Sequence, residues 1–394
     1  VRIITDRVTE VLHAILAGCL LLLVVLYFLG VDGQASFFPS YLATLVVIPL
    51  ITLTGPHRLA LQEPRLLLSL LMIAWLGISP LWSGHFSWHY PGYTALLGTF
   101  LIGVVMADRR YPRLFDWLIT LLIWSAALSA AISVYLYYFV DYNPLDEKDR
   151  LYALGRNYTP TISALSFSAP LILAGVRVFW RPAHLEKSLY ILAIVPLLWA
   201  IVLTGTRAAW VGLLIVPLVA TFFLTNISWR NRGLIFAGVL IGFVGLVGIV
   251  FLVGYDDNLL RRSTSFRPEI WSATLDRIGE GNWLIGQGIN TSAEVSWRHL
   301  TFNHAHSIYL STLFYGGAIG LGLLLALLIA SILPLLRRIN TERRTMALLT
   351  LTFTIVTLGI DGDHLVSKVD HLWIILWIPL TLAWTSMRLP LRFK

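Results

Sequence analysis

Charge is what this chain has least of. Asp, Glu, Lys and Arg make up 13% of its 394 residues, against 57% hydrophobic ones, whereas soluble domains run nearer a quarter charged. A soluble globular enzyme is excluded. Cysteine is almost missing as well: the single Cys19 lies in an apolar run, so no intramolecular disulfide can form and cysteine usage says nothing about compartment. The sequence has no P-loop, nucleophile elbow or HExxH metal motif. It also has no low-complexity tract and no evident repeat of about 20–50 residues, which weighs against a transporter built from inverted repeats with charges at mid-membrane.

Apolar windows of about 20 residues, each long enough to cross a bilayer, fill nearly all of the chain instead. They predict helices over residues 11–30, 37–54, 66–82, 93–107, 114–140, 159–180, 188–204, 207–225, 232–254, 306–334, 345–360 and 371–387. The expected fold is therefore an all-α, polytopic integral membrane protein with about twelve transmembrane helices. The run from Ser188 to Thr225 is too long for one crossing and is cut at Thr204-Gly205-Thr206-Arg207; residues 93–107 are short and imply an oblique segment or a thin region. Arg2 and Arg7, the first apolar run and Gly33-Gln34-Ala35 have the outline of a secretory signal. The run is too long for a typical signal core and reads as a membrane helix.

Sorting charges along these spans orients the chain. With both termini cytoplasmic, 19 of the 29 Lys and Arg and only 7 of the 21 acids face inward, leaving net charges of +12 inside and −4 outside. Twelve spans with both ends inside satisfy the positive-inside rule. The same distribution accounts for the overall charge of +8 without a basic stripe, so no nucleic-acid partner is expected. The chain then divides into helices 1–9 (1–254), an outer loop (255–305) and helices 10–12 (306–394). A loop of about fifty residues exceeds a mere connection. Within it Pro268 suits a first helical turn, and Trp271, Thr274, Leu275 and Ile278 follow helical spacing, which predicts an amphipathic helix on the membrane surface or the bundle.

Side chains capable of chemistry gather on the outer side: Arg156, Arg207, Arg261, Arg262, Arg267, His304, His306, Asp361, Asp363 and His364. That side holds no ATP, so a substrate must arrive activated, as a glycan on a polyprenyl pyrophosphate does; guanidinium groups pair bidentately with phosphate oxygens. Arg207 follows the tight turn at Gly205, where snorkelling to lipid phosphate is the structural alternative. Arg267 precedes Pro268 at a helix N-terminus, a position that itself favours anions. Arg261 and Arg262 read as solvated loop charges, and Arg156 as a further phosphate or acceptor contact. In Asn303-His304-Ala305-His306-Ser307 the two histidines, spaced i, i+2, do not share a helix face and so do not suit a metal pair. His306 is the candidate general base and His304 its support; an interfacial histidine that merely hydrogen-bonds a loop is the alternative. Asp361-Gly362-Asp363 has the form of a metal-binding D-x-D, but nothing in sequence places a further acid beside it. A substrate or hydrogen-bonding role to His or Arg is preferred.

Several of these segments together resemble the O-antigen ligases of lipopolysaccharide assembly. His306-Ser307, nine further residues and Gly317-Ala318-Ile319-Gly320 are similar to the H-[NSQ]-x9-G-x-x-G signature. Thr204-Gly205-Thr206-Arg207-Ala208-Ala209-Trp210 resembles the family's arginine turn. Arg267 with Trp271 is similar to its R-x3-W element, ahead of Leu284-Ile285-Gly286-Gln287-Gly288. The resemblance implies a GT-C-like enzyme of the bacterial inner membrane with a periplasmic active site. It would move O-antigen from undecaprenyl pyrophosphate to the lipid A core without nucleotide, metal or other cofactor. It further implies that Arg207, Arg267 and His306 are catalytic, and that an acid of the last outer loop, Asp361 or Asp363, also serves. O-antigen polymerases and protein O-oligosaccharyltransferases share the arginine and loop pattern and remain alternatives, as does a lipid-linked glycan transporter from another class.

Overall fold

A computed structural model describes residues 2–30, 35–53, 63–84, 86–140, 150–154, 159–223, 266–297, 300–337 and 341–387, with a few positions between 230 and 245. Eight helices come first: α1 (Arg2–Leu29), α2 (Phe37–Leu53), α3 (Pro64–Ile78), α4 (His89–Arg110), α5 (Leu114–Phe139), α6 (Pro160–Trp180), α7 (His184–Leu203) and α8 (Arg207–Phe223). The loop helix α9 (Arg267–Glu280) is followed by a small antiparallel hairpin, β1 (Val295–Trp297) and β2 (Leu300–Phe302). Then come α10 (Ile308–Leu336), α11 (Glu342–Leu358), a π turn at Trp373–Trp377 and α12 (Ile378–Ser386). The protein is an all-α polytopic membrane protein apart from the hairpin, which has no period-2 signal long enough to be read from sequence.

Among the described residues seven helices are long and apolar enough to cross a membrane, and α2, α8 and the Trp373–Ser386 segment are shorter apolar helices. The expected ninth span, 232–254, lies mostly outside the described residues, as do Arg156, Arg261 and Arg262. The segment expected over 93–107 runs from His89 to Arg110, so it needs no thin region. The cut at Gly205 is real: its φ of 61° turns the chain between α7 and α8. On α9 the buried face is Ile270, Thr274 and Ile278, while Leu275 is exposed, a rotation from the expected face because the helix packs on α10 and β1.

Helix starts follow local chemistry. Pro64, Pro160 and Pro268 open helices where an N–H has no partner to lose, and Thr159 and Thr341 accept from the N–H three residues on. Inside, Ser and Thr hydroxyls such as Ser69, Ser125, Ser168 and Thr350 bond the carbonyl four residues back, which satisfies them in a lipid-facing bundle. Trp373, Trp377 and Trp384 are fully buried in the core. Short connections make successive helices antiparallel, and the bundle acquires two chemically distinct ends. One collects the C-termini of α3, α7 and α11, the N-termini of α4, α8 and α10, and the loop helix α9. The other collects the C-termini of α4 and α6 and the N-termini of α5, α7 and α11.

Candidate active site

The first end holds the candidate site. Arg207 is the first residue of α8 and is exposed; the turn before it is braced by Arg150, whose Nε donates to the Thr204 carbonyl at 2.7 Å and whose Nη2 reaches Thr206 Oγ1 at 3.3 Å. Arg267 opens α9. Its Nε donates to the carbonyl of Ile360 at 2.8 Å, and four residues later Trp271 Nε1 donates to the carbonyl of Ala305 at 3.0 Å. Residues at i and i+4 share a helix face, so the R-x3-W spacing pins one face of α9 to both the histidine segment and the aspartate loop. Among the described residues the Nη groups of Arg267 make no hydrogen bond, which leaves its fork for an anion. Burial lowers the Arg267 pKa from its ordinary value; Asp361 opposes this, and the charge of Arg207 adds to it.

His306 sits just ahead of α10 with φ of 50°, the left-handed region that costs a non-glycine residue energy and that His tolerates better than most. In this conformation its own N–H donates to Nδ1 of His304 at 3.2 Å, and the two rings lie 4.0 Å apart. Accepting that bond leaves His304 Nδ1 without a proton, so its neutral form carries the proton on Nε2. Burial, with His306 beside it, lowers the His304 pKa and favours that neutral form. The Nδ1 of His306 faces Asp361 Oδ1 at 3.5 Å. Burial works to raise the Asp361 pKa, but the hydrogen bond and charge of His306, the Gly362 N–H at 2.8 Å and His371 carry it below the ordinary carboxylate value. A carboxylate that holds one imidazole nitrogen leaves the other as the basic lone pair.

Asp363 belongs to a different environment. It accepts from the Tyr315 hydroxyl at 3.2 Å and lies 3.0 Å from His364 Nε2. Burial raises its pKa against the pull of His304 and Tyr315, and burial pushes His364 down to about 4. The two aspartates of the D-x-D are thus moved in opposite directions, the pattern expected of carboxyls with separate tasks. Among the described residues no three His, Cys, Asp or Glu side chains form a group suited to a metal ion.

One backbone joint holds these parts in register. Gly317 breaks α10 with φ of 64° and ψ of −167°, and the Leu284–Gly288 segment lies along the break. Gln287 and Gly288 N–H donate to the Phe314 and Tyr315 carbonyls at 2.8 and 2.9 Å, and Ala318 and Ile319 N–H donate to Trp283 and Leu284 at 2.9 and 3.2 Å. A Cβ on Gly317 would run into the Leu284 carbonyl and Gly286 N, and one on Gly286 into the Tyr315 carbonyl. Two segments that look unrelated in sequence are therefore the two halves of one contact.

The structure brings together Arg267, His304, His306 and Asp361, with Arg207 close enough to affect Arg267, and turns Asp363 toward Tyr315 and His364. Sequence reasoning counted His364 among the outer side chains capable of chemistry without giving it a role, and did not single out Tyr90, Tyr315 or His371. For His364 the only signal was its place directly after the D-x-D; for the others there was none.

This is the architecture of a multi-pass membrane protein with an arginine, histidine and aspartate site at one end of a helix bundle. A family model described as O-Antigen ligase matches residues 192–325, a stretch that contains Arg207, Arg267, His306 and the glycine joint. An O-antigen ligase of Pseudomonas aeruginosa is 30% identical over 369 residues, covering 85% of this chain and 83% of the relative. The chain belongs to the O-antigen ligase family and is a membrane protein of lipopolysaccharide assembly.

Proposed function

We propose that the protein transfers O-antigen from undecaprenyl pyrophosphate to a sugar hydroxyl of the lipid A core, at the periplasmic face of the bacterial inner membrane. It does so as a GT-C-like, twelve-span, inverting and metal-independent enzyme with both termini in the cytoplasm. The observation that carries this reading is the run of contacts from Arg267 through Asp361 to His306, with Arg207 adjoining. Arg207 and Arg267 bind the pyrophosphate and stabilise the charge that grows on it as the C1–O bond breaks. His306, held by Asp361, takes the proton of the acceptor hydroxyl, whose oxygen attacks C1 from the opposite face. The products are the glycosylated lipid A core and undecaprenyl pyrophosphate, with the proton on His306. Arg156, His304 and Asp363 complete the substrate contacts. Charge sorting supports the periplasmic side of this reading, because the positive-inside rule puts the arginine-rich loops at the opposite end of the bundle in the cytoplasm.

The test is to incubate purified protein with glycan-loaded undecaprenyl pyrophosphate and lipid A core, with EDTA and without nucleotide. Glycosylated lipid A that disappears in Arg207→Ala and His306→Ala is the expected outcome. Elongated glycan still on the carrier identifies a polymerase instead, and a product of retained anomeric configuration overturns direct attack.

A further inference from the structure

Around Asp363, to which the transfer reading gives a substrate contact without saying of what, lies a cavity of about 280 Å³; its wall includes Tyr90, Thr291, Glu294, Asn303, Asp363 and His364. One polar atom in that wall, the Nδ1 of His364, is buried without a hydrogen-bond partner among the described residues, and the side chains of Tyr90, Glu294 and Asn303 stand around it open to solvent and not hydrogen-bonded to other described side chains. A buried polar atom left without a partner calls for an explanation, and one that opens on a concavity edged by polar side chains is explained by a ligand that supplies the bond.

The lining selects the ligand's chemistry. It is too polar for a lipid chain. Two carboxylates, Glu294 and Asp363, repel phosphate, and their neighbours form no metal-holding group among the described residues. A neutral molecule dense in hydroxyls fits: each carboxylate accepts charge-assisted O–H bonds, and the Asn303 amide both donates and accepts. The Tyr90 and Tyr315 rings flank His364 at 6.0 and 4.6 Å between centroids. The volume, at the small end of ligand pockets, suits one ring rather than an oligosaccharide.

Position supplies the rest. Within five residues the loop between α11 and α12 meets Arg267 at Ile360, His306 at Asp361, Tyr315 at Asp363 and the cavity at His364. Arg267 and the cavity are thus on successive stations of one segment with His306 between them. We infer that the cavity is a subsite for a single neutral sugar ring of the reacting glycans, on the acceptor's side of His306. This rests on the glycosyl-transfer reading.

The experiment uses the full chain in nanodiscs and the exposed wall residues in Glu294→Gln and Asn303→Ala, with thermal melts to confirm folding. Saturation-transfer NMR with free core oligosaccharide, and separately with delipidated O-antigen, reads binding without catalysis; steady-state kinetics reads both substrates. The expected result is core oligosaccharide contact that weakens in each variant. Acceptor KM should rise about tenfold per lost bond to a charged or amide group, while kcat and donor KM stay within about twofold. A rise in donor KM with weakened O-antigen contact keeps the subsite and reassigns it to the donor. Unchanged contacts and unchanged KM values for both substrates overturn the inference. Sugar binding lost in the variants of a protein whose wild type transfers nothing sinks the transfer reading and leaves the subsite standing.

Discussion

At the end of the bundle away from His304 and His306, Glu10, Glu63, Asp108, Asp116, Glu186 and Glu342 each lie within 3.8 Å of an arginine nitrogen. Arg177, 1% exposed, joins Asp116 of α5 to Glu342 of α11, and Arg343 joins Asp108 and Asp116. At the other end Arg267 is held through Nε by a neutral carbonyl, its Nη groups make no hydrogen bond among the described residues, and the aspartates face histidines. Both ends are built from arginine and aspartate. Where carboxylates neutralise the guanidinium it cross-links helix ends; where a carbonyl merely aims it, its charge stays available to a substrate, which is the preorganisation that charge-stabilising sites need.

Breaking the comparison is straightforward. The largest expected effect is at the site: His306→Ala and Arg267→Ala should lower kcat/KM by about 10²–10⁴-fold, with melting temperatures close to wild type in a thermal-shift assay. If Arg267→Ala unfolds the protein while the remaining folded fraction turns over normally, the ends do not differ in kind. Arg177→Ala should do the reverse. Loss of a buried arginine whose partners are partly exposed should cost about 3 kcal/mol of stability, read as a lower melting temperature with activity per folded molecule retained.

A pH series sharpens the contrast. Because burial holds the folded-state pKa of His364 at about 4, below its unfolded value of roughly 6.5, the unfolded chain binds that proton first. Stability from this group is complete above the unfolded pKa and is lost as pH falls through the folded one, by roughly 3 kcal/mol at most. His364→Gln should flatten thermal stability across that window, and an unaltered slope would show that His364 does not carry it. The smallest effect is expected for Arg267→Lys. Charge survives but the bidentate fork does not, so donor binding should weaken about tenfold, measured as donor KM at constant acceptor.

Much of this was legible beforehand, for reasons that can be named. Apolar length and helix breakers are local properties, so α5, α6 and α10 fall within a few residues of their expected positions, and Gly205 marks a turn that only a positive φ can make. The candidate site residues stood out because charged side chains are expensive in a bilayer and are conspicuous against an apolar background. The partition of the D-x-D was not legible: Asp361 and Asp363 differ only in what packs against them. Nor was the reason for the glycines at 286 and 317, since each exists to let the other's backbone pass.

By itself, then, the amino-acid order determined a helical membrane protein, its breakpoints, and the short list of side chains that carry charge at one rim, because hydropathy and cost of burial are read residue by residue. Tertiary structure alone decided that Arg267 and Trp271 clamp two distant loops, that Asp361 serves His306 while Asp363 turns to Tyr315 and His364, and that a cavity edged by polar side chains opens beside them. Those outcomes depend on which segments far apart in the chain come within about 3 Å of one another, a distance over which hydrogen bonds act and of which local sequence carries no record.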